Sequence, residues 1–442
     1  MNTSKKTFYT FLYKGALSGV TFVASALVGR YLDPADRVQY QYAGTFSQTG
    51  MTFVGGFTNY YGFALPRRPE DTQNIIQMGN LFIFSLSLIV WTAAVVVQLL
   101  PWHFLHLPQV VWWALMAMPF NFIFGYGSRI LQGINEITWL NRANIAQPFI
   151  FLLIIGSLFF AKQNVPETLR LTLTYSGWLL SFAVTVLGTM LAAYRLLRRP
   201  NVLKWRFSRI DWRGTLNYGG WSSVAQIVNY LNYRIDFWLV GIFLPARIAS
   251  LYGIAVAASE VLLNISGSVA SVVFTRMTET RGSDAVFITQ ISTRQTLISS
   301  TIAALAMCLV FPWLLPLSFG WRYAGAVAPF FILLPGLIFK AASNIVIQYA
   351  TNTLGEPKIS IWMNGVSVLI NAVFCVILLP AIGLLGGASA STISYVLSFV
   401  VYVIWFAKVE RGQANGLWRI RKSDLVPYQK IVSQVWRKLS RR

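Results

Sequence analysis

The chain has 442 residues, 55% of them hydrophobic and 11% charged, with a formal excess of 22 positive charges. Soluble domains carry about 25% charged residues, so this composition excludes an ordinary soluble enzyme and indicates an all-α polytopic membrane protein. The two cysteines, Cys308 and Cys375, lie in apolar runs, which excludes a disulfide framework and leaves no metal-site spacing.

A bilayer core takes about 20 apolar residues per helix. In chain order, this measure predicts spans near 8–32, 42–65, 77–101, 109–131, 141–161 and 172–194. After Lys5 and Lys6 the first apolar segment is too long for a signal peptide and has no small-residue cleavage site, so it is expected to stay as a helix. The basic stretch RLLRRPNVLKWRFSRIDWRG (195–214) follows, and a second set of spans is expected near 216–244, 252–275, 296–317, 326–350, 359–380 and 384–407. The predicted organisation is two sets of about six spans, 1–194 and 215–408. A basic linker at 195–214 joins them, and a basic tail at 409–442 follows. In the tail, Tyr428, Ile431, Val432, Val435, Trp436 and Leu439 keep helical spacing among Lys and Arg, the pattern of an amphipathic helix on anionic lipid.

Lysine and arginine set the orientation. With the N-terminus cytoplasmic, 26 fall on the cytoplasmic side, six outside (Arg37 among them) and four within spans. Both termini are therefore expected in the cytoplasm. The positive charge reads as topology and contact with anionic lipid, and nucleic acid is not an expected partner.

The two halves echo each other. LVGRYLDP (27–34) matches LVGIFLPA (239–246), and GINEITWLN (133–141) matches GEPKISIWMN (355–364), in the same order and at similar offsets. This is the mark of a parallel repeat.

Charges inside the spans are costly, at least about 2.5–3.5 kcal/mol at a helix centre. Arg234 and Asp236 stand two apart in NYLNYRIDFWLVGIF and point to nearly opposite sides, so each needs its own partner. Arg234 lies near the midplane. Asp236 and Glu260 lie roughly 12–14 Å below the outer surface, from a rise of about 1.5 Å per residue. Lys14 and Lys340 fall toward the cytoplasmic half, and Arg129 near its boundary. The basic set suggests a water-filled cavity that attracts an anion such as phosphate. Asp236 and Glu260 either neutralise Arg234 or bind a coupling proton or sodium ion, and the residues leave both roles open.

No G-x-x-x-x-G-K-[ST] loop is present, and His103 and His106 have neither carboxylate nor thiolate beside them. No catalytic grouping can be assembled within the spans, so neither catalysis nor a cofactor is expected.

Residues 232–279, beginning NYRIDFWLVGIF, then GEPKISIWMN, then LLPAIGLLGGASASTISYVLSFVVYV (378–403), resemble the polysaccharide transporter branch of the multidrug/oligosaccharidyl-lipid/polysaccharide exporter (MOP) superfamily, the O-antigen and exopolysaccharide flippases. The N-x-R-x-D start of the seventh span and the Gly-rich turn before the twelfth carry the resemblance. The chain departs from it at VVFTR, where members often have a proline after the Phe. The resemblance implies about twelve transmembrane helices in two six-helix bundles around a cationic central cavity. It also implies alternating access, moving a polyprenyl-diphosphate-linked oligosaccharide from the inner to the outer leaflet of a prokaryotic plasma membrane. On it, Arg234 and Lys340 bind phosphate or acidic sugar, Lys14 assists near the entrance, and Asp236 and Glu260 balance charge or couple an ion. A multidrug antiporter of the same superfamily and a non-transporting subunit of a polysaccharide synthase complex are the alternatives.

Overall fold

The computed structural model describes residues 3–66, 68–99, 108–197, 212–264, 282–354, 356–410, 415–419, 421 and 424. Most of the expected linker, almost all of the expected surface helix at 423–442, and both histidines lie outside the described residues. The described residues are helical without strands. In chain order the helices are α1 (Thr3–Tyr31), α2 (Pro34–Ala64), α3 (Thr72–Leu99), α4 (Gln109–Gly133), α5 (Ile137–Phe160), α6 (Glu167–Leu197), α7 (Trp212–Phe243) and α8 (Ala246–Ser259). Then come α9 (Ser283–Phe319), α10 (Val327–Gln348), α11 (Pro357–Ile382), α12 (Leu384–Val409) and the four-residue α13 (Asn415–Trp418).

Described helices overlap the predicted spans, that near 252–275 being described only through residue 264, and eight helices are long and apolar enough to cross a membrane. Their outward faces suit lipid: Leu99 and Leu309 are each 77% exposed and Phe160 89%. Such continuous apolar exposure is foreign to a soluble surface. The chain is a multi-pass membrane protein.

Several helices begin before their apolar run because the local sequence caps them. Asp33 is extended (φ −68°, ψ 155°), its carboxylate accepts from the Ala35 amide at 3.3 Å, and Pro34 opens α2. Arg37, expected in an outer loop, therefore sits in the first turn of α2 and is buried. Between α11 and α12, Gly383 has φ +58°, which a side chain rarely tolerates. Asn135 takes φ +60° in the α4–α5 turn, a position that asparagine fills more readily than most residues.

The chain divides into two compact units. Unit 1 comprises Met1–Arg234, Leu244–Gly253 and Leu314–Gly325. In it α2 and α3 pack on α4, α1 on α5, and α6 on both α4 and α5. One core gathers Tyr61, Ile76, Tyr126, Ile130 and Met190, and another Val28, Ala117, Phe151, Tyr175 and Trp178. The corner before α2 is tied down by arginines. Arg30 donates to the Ser318 carbonyl at 2.7 Å, and Arg322 donates to the carbonyls of Gly29 and Leu32. Arg37 donates to the Ser250 carbonyl and hydroxyl, each at 3.3 Å, and its guanidinium lies 5.4 Å from the Phe319 ring centre.

Unit 2 comprises Ile235–Phe243, Ile254–Trp313 and Ala326–Arg442. Here α12 packs on both α10 and α11. A Cβ built on Gly336 would lie 2.6 Å from the Thr392 Cα, so glycine is what lets α10 and α12 touch by their backbones. Close approach of this kind matters in lipid, where apolar burial gives helices little reason to associate. Arg294, expected in a cytoplasmic loop, lies within α9, 2% exposed, and its Nε donates to Asp424 at 2.7 Å. That ion pair, with a bond from Arg294 to the Gly416 carbonyl, fastens α13 and Asp424 to α9.

Candidate functional site

Unit 2 holds a ladder of polar side chains inside its apolar packing. On α11, Asn364, Ser367 and Asn371 are spaced three and four apart and so share one helix face. On α12, Ser391, Ser394, Tyr395 and Ser398 do the same. The two helices join at the tight Gly383 turn and run antiparallel, which sets these stripes opposite each other. At one rung the Asn371 amide donates to Ser391 Oγ at 3.3 Å, and at the next Ser394 Oγ donates to the Ser367 carbonyl at 2.7 Å. Interhelical hydrogen bonds in a membrane average about 0.6 kcal/mol, so the ladder fixes register more than it supplies stability.

Two of the predicted charges plug into this ladder. Asp236, at the unit-2 end of α7, is 2% exposed. Its carboxylate accepts from Ser391 Oγ and from the Phe237 amide, both at 2.7 Å. Behind Ser391 the donors line up, because the Cys375 thiol donates to Asn371 Oδ1 at 3.1 Å and Asn371 in turn donates to Ser391. Every proton in this relay points toward Asp236, which suits a group that only accepts. Lys340 is fully buried on α10, its Nζ 3.4 Å from Asn364 Oδ1 and 5.6 Å from the Tyr395 ring centre. Ser391 and Tyr395 are four apart on α12, so the partners of Asp236 and Lys340 stand one helical turn from each other.

The other predicted residues are placed differently. Arg234 is half-buried at the end of unit 1's share of α7, and its Nη1 donates to the Tyr233 carbonyl at 3.1 Å. Glu260 is half-buried and opens the single 3₁₀ turn Glu260–Leu262 that follows α8. Lys14 falls within α1, and its side chain lies outside the described residues. No cluster of three or more His, Cys, Asp or Glu that could hold a metal occurs among the described residues.

Sequence reasoning found Lys340 and Asp236 by their charge but missed Asn364, Ser367, Asn371, Ser391, Ser394 and Tyr395. Their signal was present as polar residues at helical spacing on two consecutive apolar segments.

A family model described as "Polysaccharide biosynthesis protein" matches residues 172–328, a stretch that includes Arg234, Asp236 and Glu260. The probable low-salt glycan biosynthesis flippase Agl15 of Haloferax volcanii is 25% identical over 200 residues, covering 43% of this chain. The chain matches 41% of the length of that relative. Among solved structures, an inward-facing MATE family multidrug resistance transporter of the MOP superfamily has a TM-score of 0.69 at 14% identity, covering 90% of this chain and 96% of that one. The lipid II flippase MurJ, in an inward closed conformation, has a TM-score of 0.67 at 14% identity, covering 94% and 90%. A MOP superfamily transporter from Pyrococcus furiosus, described as having a binding pocket of reverse polarity, has a TM-score of 0.52 at 13% identity, covering 92% and 96%.

Proposed function

The chain has the fold of the MOP exporter superfamily, and on that premise we propose that it is a lipid-linked oligosaccharide flippase. Its substrate is a polyprenyl-diphosphate-linked glycan repeat unit, carried by alternating access from the inner to the outer leaflet of a prokaryotic plasma membrane. Both termini face the cytoplasm, in keeping with the lysine and arginine asymmetry. The single observation that carries this reading is the match of residues 172–328 to a polysaccharide biosynthesis family, since it includes the charged part of α7.

The residues divide the work. The half-buried Arg234 guanidinium grips the diphosphate or an acidic sugar through charge-assisted hydrogen bonds. Lys14 assists near the entrance. Lys340 has no exposed surface, so it contributes its positive field, and direct contact with substrate requires the ladder to open. Asp236 and Glu260 balance these charges or take a coupling proton or sodium ion. A change of charge at Asp236 reaches Lys340 across one turn of α12. The basic linker and tail hold anionic lipid headgroups. The work is transport without bond-making, and no cofactor takes part.

Vesicles containing the purified chain test this reading. A polyprenyl-diphosphate glycan placed in one leaflet should become accessible to an impermeant glycan-cleaving enzyme on the other side, and only in vesicles that hold the protein. Export of organic cations without glycan movement would favour the drug antiporter instead.

A further inference from the structure

Unit 1 contains a chamber whose lining includes none of the predicted site residues. It has a volume of about 560 Å³ and is bounded by α1, α2, α4, α5 and α6. That volume is within the range of about 300–1,000 Å³ typical of small-molecule pockets. The wall runs from mid-helix positions such as Gln48 and Gln147 to Gln132 and Leu140, which flank the α4–α5 turn.

The chemistry of the wall is specific. Half of its residues are polar, most of them carboxamides, and one is an arginine, Arg129; no carboxylate lines it. Gln48 and Asn144 are exposed within it. Ser128 Oγ is buried behind this wall without a hydrogen-bond partner, so the polar groups that face the space are the carboxamides and Arg129. The Gln147 amide is oriented by Ser181, to which it donates at 3.0 Å, and the Asn121 amide by Ser47 at 2.8 Å. Their carboxamide oxygens remain as acceptors. The rings of Phe124 and Phe182 supply apolar wall.

Carboxamides offer two donors and an acceptor oxygen each, the complement of adjacent hydroxyls that both donate and accept. Aromatic rings beside them cover the C–H face of a sugar ring. A cationic drug would find neither a carboxylate nor a purely aromatic cage here, and Arg129 would repel it. We propose that this chamber is a sugar subsite, taking one hydroxyl-rich ring of the transported glycan, with Arg129 selecting a ring that bears a carboxylate. The proposal rests on the flippase reading for the reason a sugar arrives there, and it deepens that reading by separating the sugar site from the anion site at Arg234.

The test uses the full chain in lipid nanodiscs, with free hexose and free hexuronate as probes and binding measured by saturation-transfer NMR. The wild type should bind both. Gln48→Leu with Asn144→Leu should weaken both at least tenfold, Gln48→Asn with Asn144→Gln should retain both, and Arg129→Gln should weaken only hexuronate. Undiminished sugar binding in the double leucine variant would overturn the proposal, as would an organic cation binding the chamber in place of sugar. Vesicle transport separates the two readings. If the double leucine variant has lost sugar binding yet moves lipid-linked glycan at the wild-type rate, the subsite falls and the flippase stands. If the wild type binds sugar through these residues yet moves no lipid-linked glycan, the subsite stands and the flippase falls.

Discussion

The two units treat their polar residues in opposite ways. In unit 2, Asp236, Lys340 and Arg294 are all buried and each is met by an identified partner on another helix or on the docked segment after α12. In unit 1, the chamber leaves Gln48 and Asn144 exposed and Ser128 Oγ buried without a partner. A charge in an apolar helix draws the eye, but buried and bonded charges hold a structure in register. Uncharged amides around a void are the groups left able to bind something else. The contrast also separates stability from recognition, so mutations in the two places should read out differently.

The largest effect is expected in unit 2. Asp236→Leu removes the acceptor of Ser391 and a buried charge whose partner stands one turn of α12 from that of Lys340, and should lower stability by about 3–5 kcal/mol in thermal unfolding. Adding Lys340→Met should recover a large part of that loss, because removing both charges avoids leaving one uncompensated. Additive losses would show that the two charges are not coupled through α12. Next, Gly336→Val should cost about 1–3 kcal/mol by pushing α10 off Thr392.

The docked segment should respond to acid. Burial raises the Asp424 carboxyl, but the hydrogen bond from Arg294, the Arg421 amide, and the charges of both arginines outweigh it and hold the group below its usual 3.8. A depressed carboxylate stabilises the docked state fully above that usual value and loses the effect as pH falls through the lower native one. Hydrogen exchange at 415–419 should therefore speed up in acid, and Asp424→Asn should speed it up at neutral pH about tenfold. In unit 1, the smallest effect is expected: Gln48→Leu and Asn144→Leu should each change stability by no more than about 0.5 kcal/mol, as neither side chain holds a helix in place. A loss as large as that of Asp236→Leu would erase the distinction between the units.

How much of this was legible in the sequence follows from what carries each feature. The helical, membrane-spanning character was, because hydropathy over some 20 residues is a local signal, and eight described helices are long and apolar enough to cross a membrane. Their starts were not. Asp33-Pro34 opens α2 eight residues before the apolar run, and α9 starts at Ser283, so Arg37 and Arg294 lie outside the apolar runs yet are helical and buried. Hydropathy marks where lipid begins, whereas capping and side-chain pairing mark where the helix begins. The ladder was hidden for a related reason: Ser and Asn barely alter the hydropathy of an apolar segment, and only their spacing on α11 and α12 betrays them. The chamber was harder still. Its polar residues come from α2 and from the consecutive α4 and α5, and nothing local shows that they face one space.

The most direct measurement of the proposed function compares inner- and outer-leaflet lipid-linked glycan in cells carrying the wild type or Arg234→Ala at matched membrane levels. Wild-type cells should accumulate outer-leaflet glycan, and the normally inserted variant should retain glycan in the inner leaflet. Equal outward transfer by both would contradict the assignment of Arg234 to the substrate, and no transfer by the wild type would contradict the flippase itself.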